Sequence, residues 1–141
     1  MRKLSLIHSI TIGRENMEIW KIALLVDDME EAEELYVNKL GLKLIERLPL
    51  GDAGEALFLD AGNVNLEIIP AKAFEGGGRL AVPGVHHLSF KADDVEGKAE
   101  ELKAKGIRFV KEPFEALPGM TLAFFDGTNG INLQLFNWKR E

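Results

Sequence analysis

From residue 19 onward the chain alternates short apolar runs with amphipathic stretches and turn clusters. Residues 19–26 form an apolar run that predicts a strand, and Asp28 follows as a helix cap with Glu31 as its answering capping-box partner. Met29, Ala32, Leu35, Tyr36 and Leu40 recur at helical spacing and predict one buried stripe, which Gly41 ends. Residues 42–48, 56–60 and 64–69 read as strands, separated by Gly51-Asp52-Ala53-Gly54 and Ala61-Gly62-Asn63. Residues 85–92 predict another strand, and Val95, Ala99 and Leu102 mark a helix stopped at Gly106. Three more strands follow at residues 107–111, 121–125 and 131–136. Between the strands at 107–111 and 121–125, residues 113–120 contain two prolines and a glycine and read as a loop. Phe114, Leu117 and Met120 give that loop apolar groups suited to lining or covering a pocket.

The two halves are versions of one pattern, offset by about 66 positions. Lys21-Ile-Ala-Leu-Leu-Val-Asp-Asp-Met-Glu aligns with His87-Leu-Ser-Phe-Lys-Ala-Asp-Asp-Val-Glu, and Asn65-Leu66-Glu67 aligns with Asn132-Leu133-Gln134. Each half has the order strand, helix, three strands. One helix covers one face of a four-stranded sheet, so the other face is left for something else. The fold class expected is therefore α+β, with two tandem βαβββ modules forming a curved half-barrel sheet around a concave ligand cleft. Module one spans residues 17–70, a linker 71–84 and module two 85–138, within a single domain of residues 17–141. Glu75-Gly76-Gly77-Gly78 reads as flexible linker, since it lacks the strand, spacing and lysine of a phosphate loop.

Composition narrows the partners. The chain has 141 residues, 46% hydrophobic and 28% charged, an ordinary globular mixture. A net charge of -6 with scattered basic residues provides no footprint for nucleic acid. With no cysteine, any metal must be held by His, carboxylate or amide groups, and a cytoplasmic location fits. Residues 1–16 begin with basic groups and an apolar stretch. Polar residues interrupt that stretch, no small-residue cleavage site follows, and it is too short to span a membrane. They are expected to form an arm that adds a strand or packs on a partner subunit, and open sheet edges make a homodimer the expected assembly.

Strand alternation selects a site, because residues two apart share a face. With Ile22, Leu24 and Val26 beneath the helix, Lys21 faces the cleft. The same parity brings in Glu67, His87 and Gln134. His86 falls on the opposite face with Leu88 and Phe90 and reads as structural. His8 reads as a surface residue of the arm. The Asp27-Asp28 and Asp93-Asp94 pairs stand where helix caps belong, and Glu30, Glu31, Glu33 and Glu34 form a solvated helix face. Trp20 and Trp138 read as packing residues.

These features carry a resemblance. An apolar strand into an Asp pair, Leu40-Gly41 after the first helix, Leu66-Glu67-Ile68, and Gly84-Val85-His86-His87-Leu88-Ser89-Phe90 together resemble the vicinal-oxygen-chelate superfamily. The His-His doublet after a Gly-rich linker is similar to methylmalonyl-CoA epimerases. The resemblance implies a divalent metal (Ni, Co, Mn or Zn) bound by one residue from each of four strands, usually His, Glu or Gln, His, and Glu. Carried over, it makes Glu67, His87 and Gln134 the metal ligands. Lys21 stands where a ligand is usual, and a protonated ammonium has no lone pair to give. Glu67 and Lys21 are then the groups assigned to catalysis.

Two readings follow. In one, the cleft performs metal-assisted proton transfer, as a lyase or isomerase, on a small oxygen-bearing substrate such as an α-oxo or acyl-thioester compound. A lysine acting as neutral amine is a variant of it. In the other, Lys21 and Glu67 neutralise each other, and the metal-free cleft sequesters a small molecule as bleomycin-resistance proteins do. No nucleophile elbow, His-Glu-x-x-His pair or dinucleotide fingerprint is present.

Overall fold

The computed structural model describes residues 17–139, so the expectations for residues 1–16, including His8 and the arm, lie outside the described residues. Module one runs β1 (Ile19–Val26), α1 (Met29–Glu33), β2 (Lys43–Pro49), β3 (Glu55–Asp60) and β4 (Asn65–Pro70). Module two runs β5 (Gly84–Lys91), α2 (Val95–Ala104), β6 (Phe109–Leu117), β7 (Met120–Asp126) and β8 (Asn132–Trp138). The strands make one eight-stranded mixed sheet in the order β2-β3-β4-β1-β5-β8-β7-β6, which is not closed into a barrel. Each first strand pairs in parallel with the last strand of its own module, and β1 and β5 meet antiparallel at the central seam. This is the α+β arrangement of tandem βαβββ modules that the repeat predicts.

Both helices start on an aspartate. Asp28 Oδ1 accepts from the Glu31 amide at 3.1 Å, and Asp94 Oδ1 accepts from the Gly97 amide at 2.9 Å. Capping satisfies helix donors that have no partner within the helix. One sheet face packs under the helices. Ala32 lies against Leu57, Leu59 and Ile68, while Val95, Ala99 and Leu102 lie against Ala123, Phe125 and Leu135. The other face gathers Ala23, Leu25, Leu48, Phe58, Ile69, Met120 and Phe136 into a third apolar cluster. Burying each large side chain of these clusters contributes roughly 1.5–3 kcal/mol, so both faces hold the sheet together.

Three features depart from the sequence expectations. The first helix changes at Glu34 into a π-helical segment, Glu34–Lys39, with the Leu40 amide donating five residues back to Leu35 at 2.9 Å. Its wider turn rotates the stripe, so Tyr36 and Val37 pack on the sheet while Leu35 and Leu40 stay exposed. The loop expected at residues 113–120 is instead the end of β6, a two-residue turn at Pro118 and Gly119, and the start of β7. Pro113 is tolerated because β6 is an edge strand. The connection at residues 71–84 is built of two 3-10 turns, Ala71–Phe74 and Gly78–Ala81, packed back on the fold. It is not a loose tether, because Phe74 packs on His86 and the Leu80 carbonyl accepts from it.

A register shift at the central seam matters most for the site. Ala23 faces His87 across the β1–β5 pair, but the next residue, Leu24, faces Val85. His86 is the extra residue of a β-bulge and is therefore free of the strict up-down alternation.

Candidate functional site: a buried cation on the concave face

In the sheet register, Ala23 lies between Glu67 on β4 and His87 on β5. Its methyl group leaves room between two long polar side chains that point the same way. One pleat away, Lys21 of β1, Ser89 of β5 and Gln134 of β8 are neighbours in turn. The Lys21 side chain reaches into the opening. Its Nζ lies 2.6 Å from Glu67 Oε1, 3.3 Å from His87 Nε2 and 3.3 Å from Gln134 Oε1. The four residues that strand parity selects thus converge on one atom. Lys21, His87 and Gln134 are each 2% exposed and Glu67 7%, so the ion pair is inside the protein.

Three acceptors around Nζ match the three N–H groups of an ammonium. The face of Phe136, with its centroid 4.9 Å from Nζ, closes one side. Phe136 is in turn stacked on Trp20 with centroids 4.5 Å apart, which gives that tryptophan the packing role expected of it. Trp138 packs near Phe58, at 6.0 Å between centroids.

The histidines are oriented by a chain of hydrogen bonds. The Leu80 carbonyl can only accept, so His86 Nε2, 2.6 Å away, carries a proton. Burial pushes the His86 ring below its usual titration range and keeps it neutral, which leaves Nδ1 as an acceptor. His87 Nδ1, 2.7 Å from it, is then the donor. The remaining nitrogen of His87, Nε2, presents its lone pair to Lys21. Burial, the Lys21 charge and His86 all hold the His87 ring neutral, well below the ordinary histidine range. Ser89 performs the same service on the other side, donating its hydroxyl hydrogen to Gln134 Oε1.

His86 is the residue that parity misplaces. The alternation of β5 sets it with Leu88 and Phe90, but the bulge turns its ring to meet His87. A bulge depends on the partner strand and is invisible in one sequence.

Above the quartet lies a cavity of about 220 Å³ with a largely apolar wall. Leu48, Leu50 and Ile69 of module one face Phe114, Leu117, Met120 and Leu122 of module two, with Phe74 of the connecting turns between them. The segment 113–120 therefore does line the pocket, although as a hairpin. Among the described residues of the wall, Lys21, Glu67 and His87 are the titratable groups.

The donor set does not fit a divalent metal as it stands. A metal bound by Glu67, His87 and Gln134 would lie about 2.0–2.2 Å from their donor atoms, in space that the Lys21 ammonium takes up. The ammonium also repels a cation at that range. Among the described residues, no group of three or more His, Cys, Asp or Glu side chains is placed to hold a metal ion.

Comparison with known proteins agrees with this architecture. The human mitochondrial methylmalonyl-CoA epimerase is 29% identical over 109 residues, covering 72% of this chain and 58% of the epimerase. The chain thus spans little more than half the length of that relative. A hypothetical protein of Bacillus halodurans superposes with a TM-score of 0.74 at 22% identity, over 90% of this chain and 98% of the other. A methylmalonyl-CoA epimerase solved in complex with methylmalonyl-CoA and NH4+ superposes with a TM-score of 0.70 at 21% identity, over 88% and 96%. At these identities the superpositions establish the fold alone. The sequence pattern of the Glyoxalase/Bleomycin resistance protein/Dioxygenase superfamily matches residues 19–135. With that match over the two modules that build the cleft, the chain belongs to the Glyoxalase/Bleomycin resistance protein/Dioxygenase superfamily.

Proposed function

We propose that the cleft carries out proton transfer at a carbon next to a carbonyl, in a small α-oxo or acyl-thioester compound, which is isomerase or lyase chemistry. The observation that carries this reading is the Lys21–Glu67 pair, 2.6 Å apart and buried at the floor of an apolar cavity. Forming an enolate needs a positive group at the carbonyl oxygen and a base at the neighbouring carbon. Lys21 and Glu67 are those two groups. Superfamily members commonly use divalent metals; in this chain the Lys21 ammonium stands among the three acceptors and supplies the positive charge.

The contacts of Lys21 to His87 and Gln134 are long, so a substrate oxygen replaces one of them more readily than it replaces Glu67. As the ammonium turns to that oxygen, the Glu67 carboxylate loses part of its counter-ion and becomes the stronger base. The proton leaves carbon for Glu67, and the electron pair moves onto the oxygen beside Lys21. Protonation of the same carbon on its opposite face by solvent then inverts it, or loss of a group from the next carbon completes an elimination, and Glu67 releases its proton to solvent or to the leaving group. Glu67 is the one carboxylate among the described wall residues, so in this scheme solvent supplies the proton on the opposite face. A solvent donor in place of a second carboxylate separates this scheme from a two-base epimerisation.

A second reading is favoured by one observation: every N–H of Lys21 already has an acceptor, so the quartet is complete without substrate. In that reading the cleft holds a small molecule and does not turn it over. Incubation in D2O with methylmalonyl-CoA and a panel of 2-oxo acids, followed by proton NMR, separates the two. Deuterium entry next to the carbonyl, lost in Glu67→Gln, supports proton transfer. Saturable binding without exchange throughout the panel supports sequestration.

The assembly we propose is a homodimer in the cytoplasm. Its support is the pair of open edges, β2 and β6, with Ile45 and Val110 exposed on them. Among the described residues no helix is long and apolar enough to cross a membrane. Light scattering on purified protein reads the assembly directly.

A further inference from the structure

We infer that the Lys21 ammonium is a resident cation, covalently tethered, that fills the centre of a three-donor cation site and so excludes a divalent ion from it. The inference concerns the cation alone and stands whatever the cleft does with its ligand.

Three groups point at Nζ, and two of them, His87 and Gln134, are held by hydrogen bonds to groups other than Lys21. Glu67 projects from β4 beside Ala23. His87 is held with its Nε2 lone pair forward, because its other nitrogen donates to His86 and His86 donates to the Leu80 carbonyl. Gln134 presents its oxygen with the Ser89 hydroxyl hydrogen-bonded to the same atom. Donors oriented in this way from behind are the arrangement by which proteins aim ligands at a metal. Here the aimed atoms are a carboxylate oxygen, an imidazole nitrogen and an amide oxygen, and the atom they surround is a charged nitrogen. One net positive charge replaces two, so the cluster with Glu67 is neutral. A divalent ion in the same place would leave a net charge buried.

Removing the tether tests this. An imidazole is shorter than a lysine by about one metal–nitrogen bond, ~2 Å, so Lys21→His would place a fourth donor behind a metal at the position of Nζ. The wild-type chain, Lys21→His and Lys21→Ala are each equilibrated with Co(II) or Zn(II), and bound metal is measured after gel filtration. Co(II) absorption reports the coordination, and thermal denaturation reports folding. Wild type is expected to retain no stoichiometric metal, and Lys21→His about one ion per chain with a metal-dependent rise in Tm. Lys21→Ala, which keeps three donors and an open position, is expected to bind more weakly and to regain stability with ammonium chloride. Stoichiometric metal on the wild-type chain overturns the inference. So does a folded Lys21→His that takes up no metal. If Lys21→His does not fold, the Lys21→Ala arm decides: no response to either metal or ammonium overturns it.

Discussion

His86 and His87, consecutive in the chain, face each other with their Nδ1 atoms 2.7 Å apart. Neighbouring side chains of a regular strand point to opposite faces and could not meet in this way. The bulge opposite Ala23 and Leu24 brings them together, and the Leu80 carbonyl then dictates which nitrogen carries each proton. The prediction is a specific pair of tautomers, Nε2–H on His86 and Nδ1–H on His87. Long-range proton–nitrogen correlation spectra distinguish them, and the opposite assignment for either ring refutes the chain of hydrogen bonds.

His86→Phe keeps a ring against Phe74 but leaves the Leu80 carbonyl and the His87 Nδ1–H without partners. Leaving buried polar groups unpaired costs about 1–3 kcal/mol each. A loss in that range by urea denaturation is expected, with altered His87 ring signals. An unchanged midpoint would mean that water replaces the lost partner.

Breaking the ion pair from one side is expected to be worse than removing it. Lys21→Met or Glu67→Leu alone strands a buried charge and is expected to lose about 3–5 kcal/mol. The double variant removes both charges and is expected to recover most of that loss. Denaturant midpoints of the four proteins form a double-mutant cycle. Additive losses would show that the two side chains do not sense each other.

The stability of the fold is expected to fall as pH drops below about 6.5, the unfolded histidine value. His86 and His87 both titrate lower in the folded chain than in the unfolded one. Above that pH their contribution is fully present. As pH falls toward the folded values, the unfolded chain takes up more protons, and each group costs at most about 1.4 kcal/mol per pH unit. Lys21 and His86 add to the effect of burial at His87, whereas at His86 the Leu80 carbonyl and Glu67 oppose it. Thermal denaturation between pH 7 and 5 measures the slope. His87→Gln is expected to flatten it by about one proton.

At the helix start, Asp94→Ala removes the acceptor of the Gly97 amide and is expected to cost about 1 kcal/mol. The site is remote from the cleft, so ligand binding is expected to be unchanged. A change in binding would link α2 to the pocket.

Much of this protein is determined by local sequence. The period-two alternation of β1, β4, β5 and β8 puts Lys21, Glu67, His87 and Gln134 on one face, because side-chain direction in a strand depends only on position. The Asp caps are equally local, since an N-cap and its amide are three residues apart. The duplicated order of elements was legible because both halves keep the same apolar spacing. What the chain alone could not show depends on partners distant in sequence. The bulge at His86 exists only relative to β1, and the strand ending at Leu117 exists only because β7 pairs with it. The π-helical turn that exposes Leu35 and Leu40 is set by how the helix settles on the sheet. Above all, a lysine among three acceptors reads in sequence as a defect in a metal site. Only the fold, by bringing those acceptors within 3.3 Å of one nitrogen, makes that lysine the cation of the site.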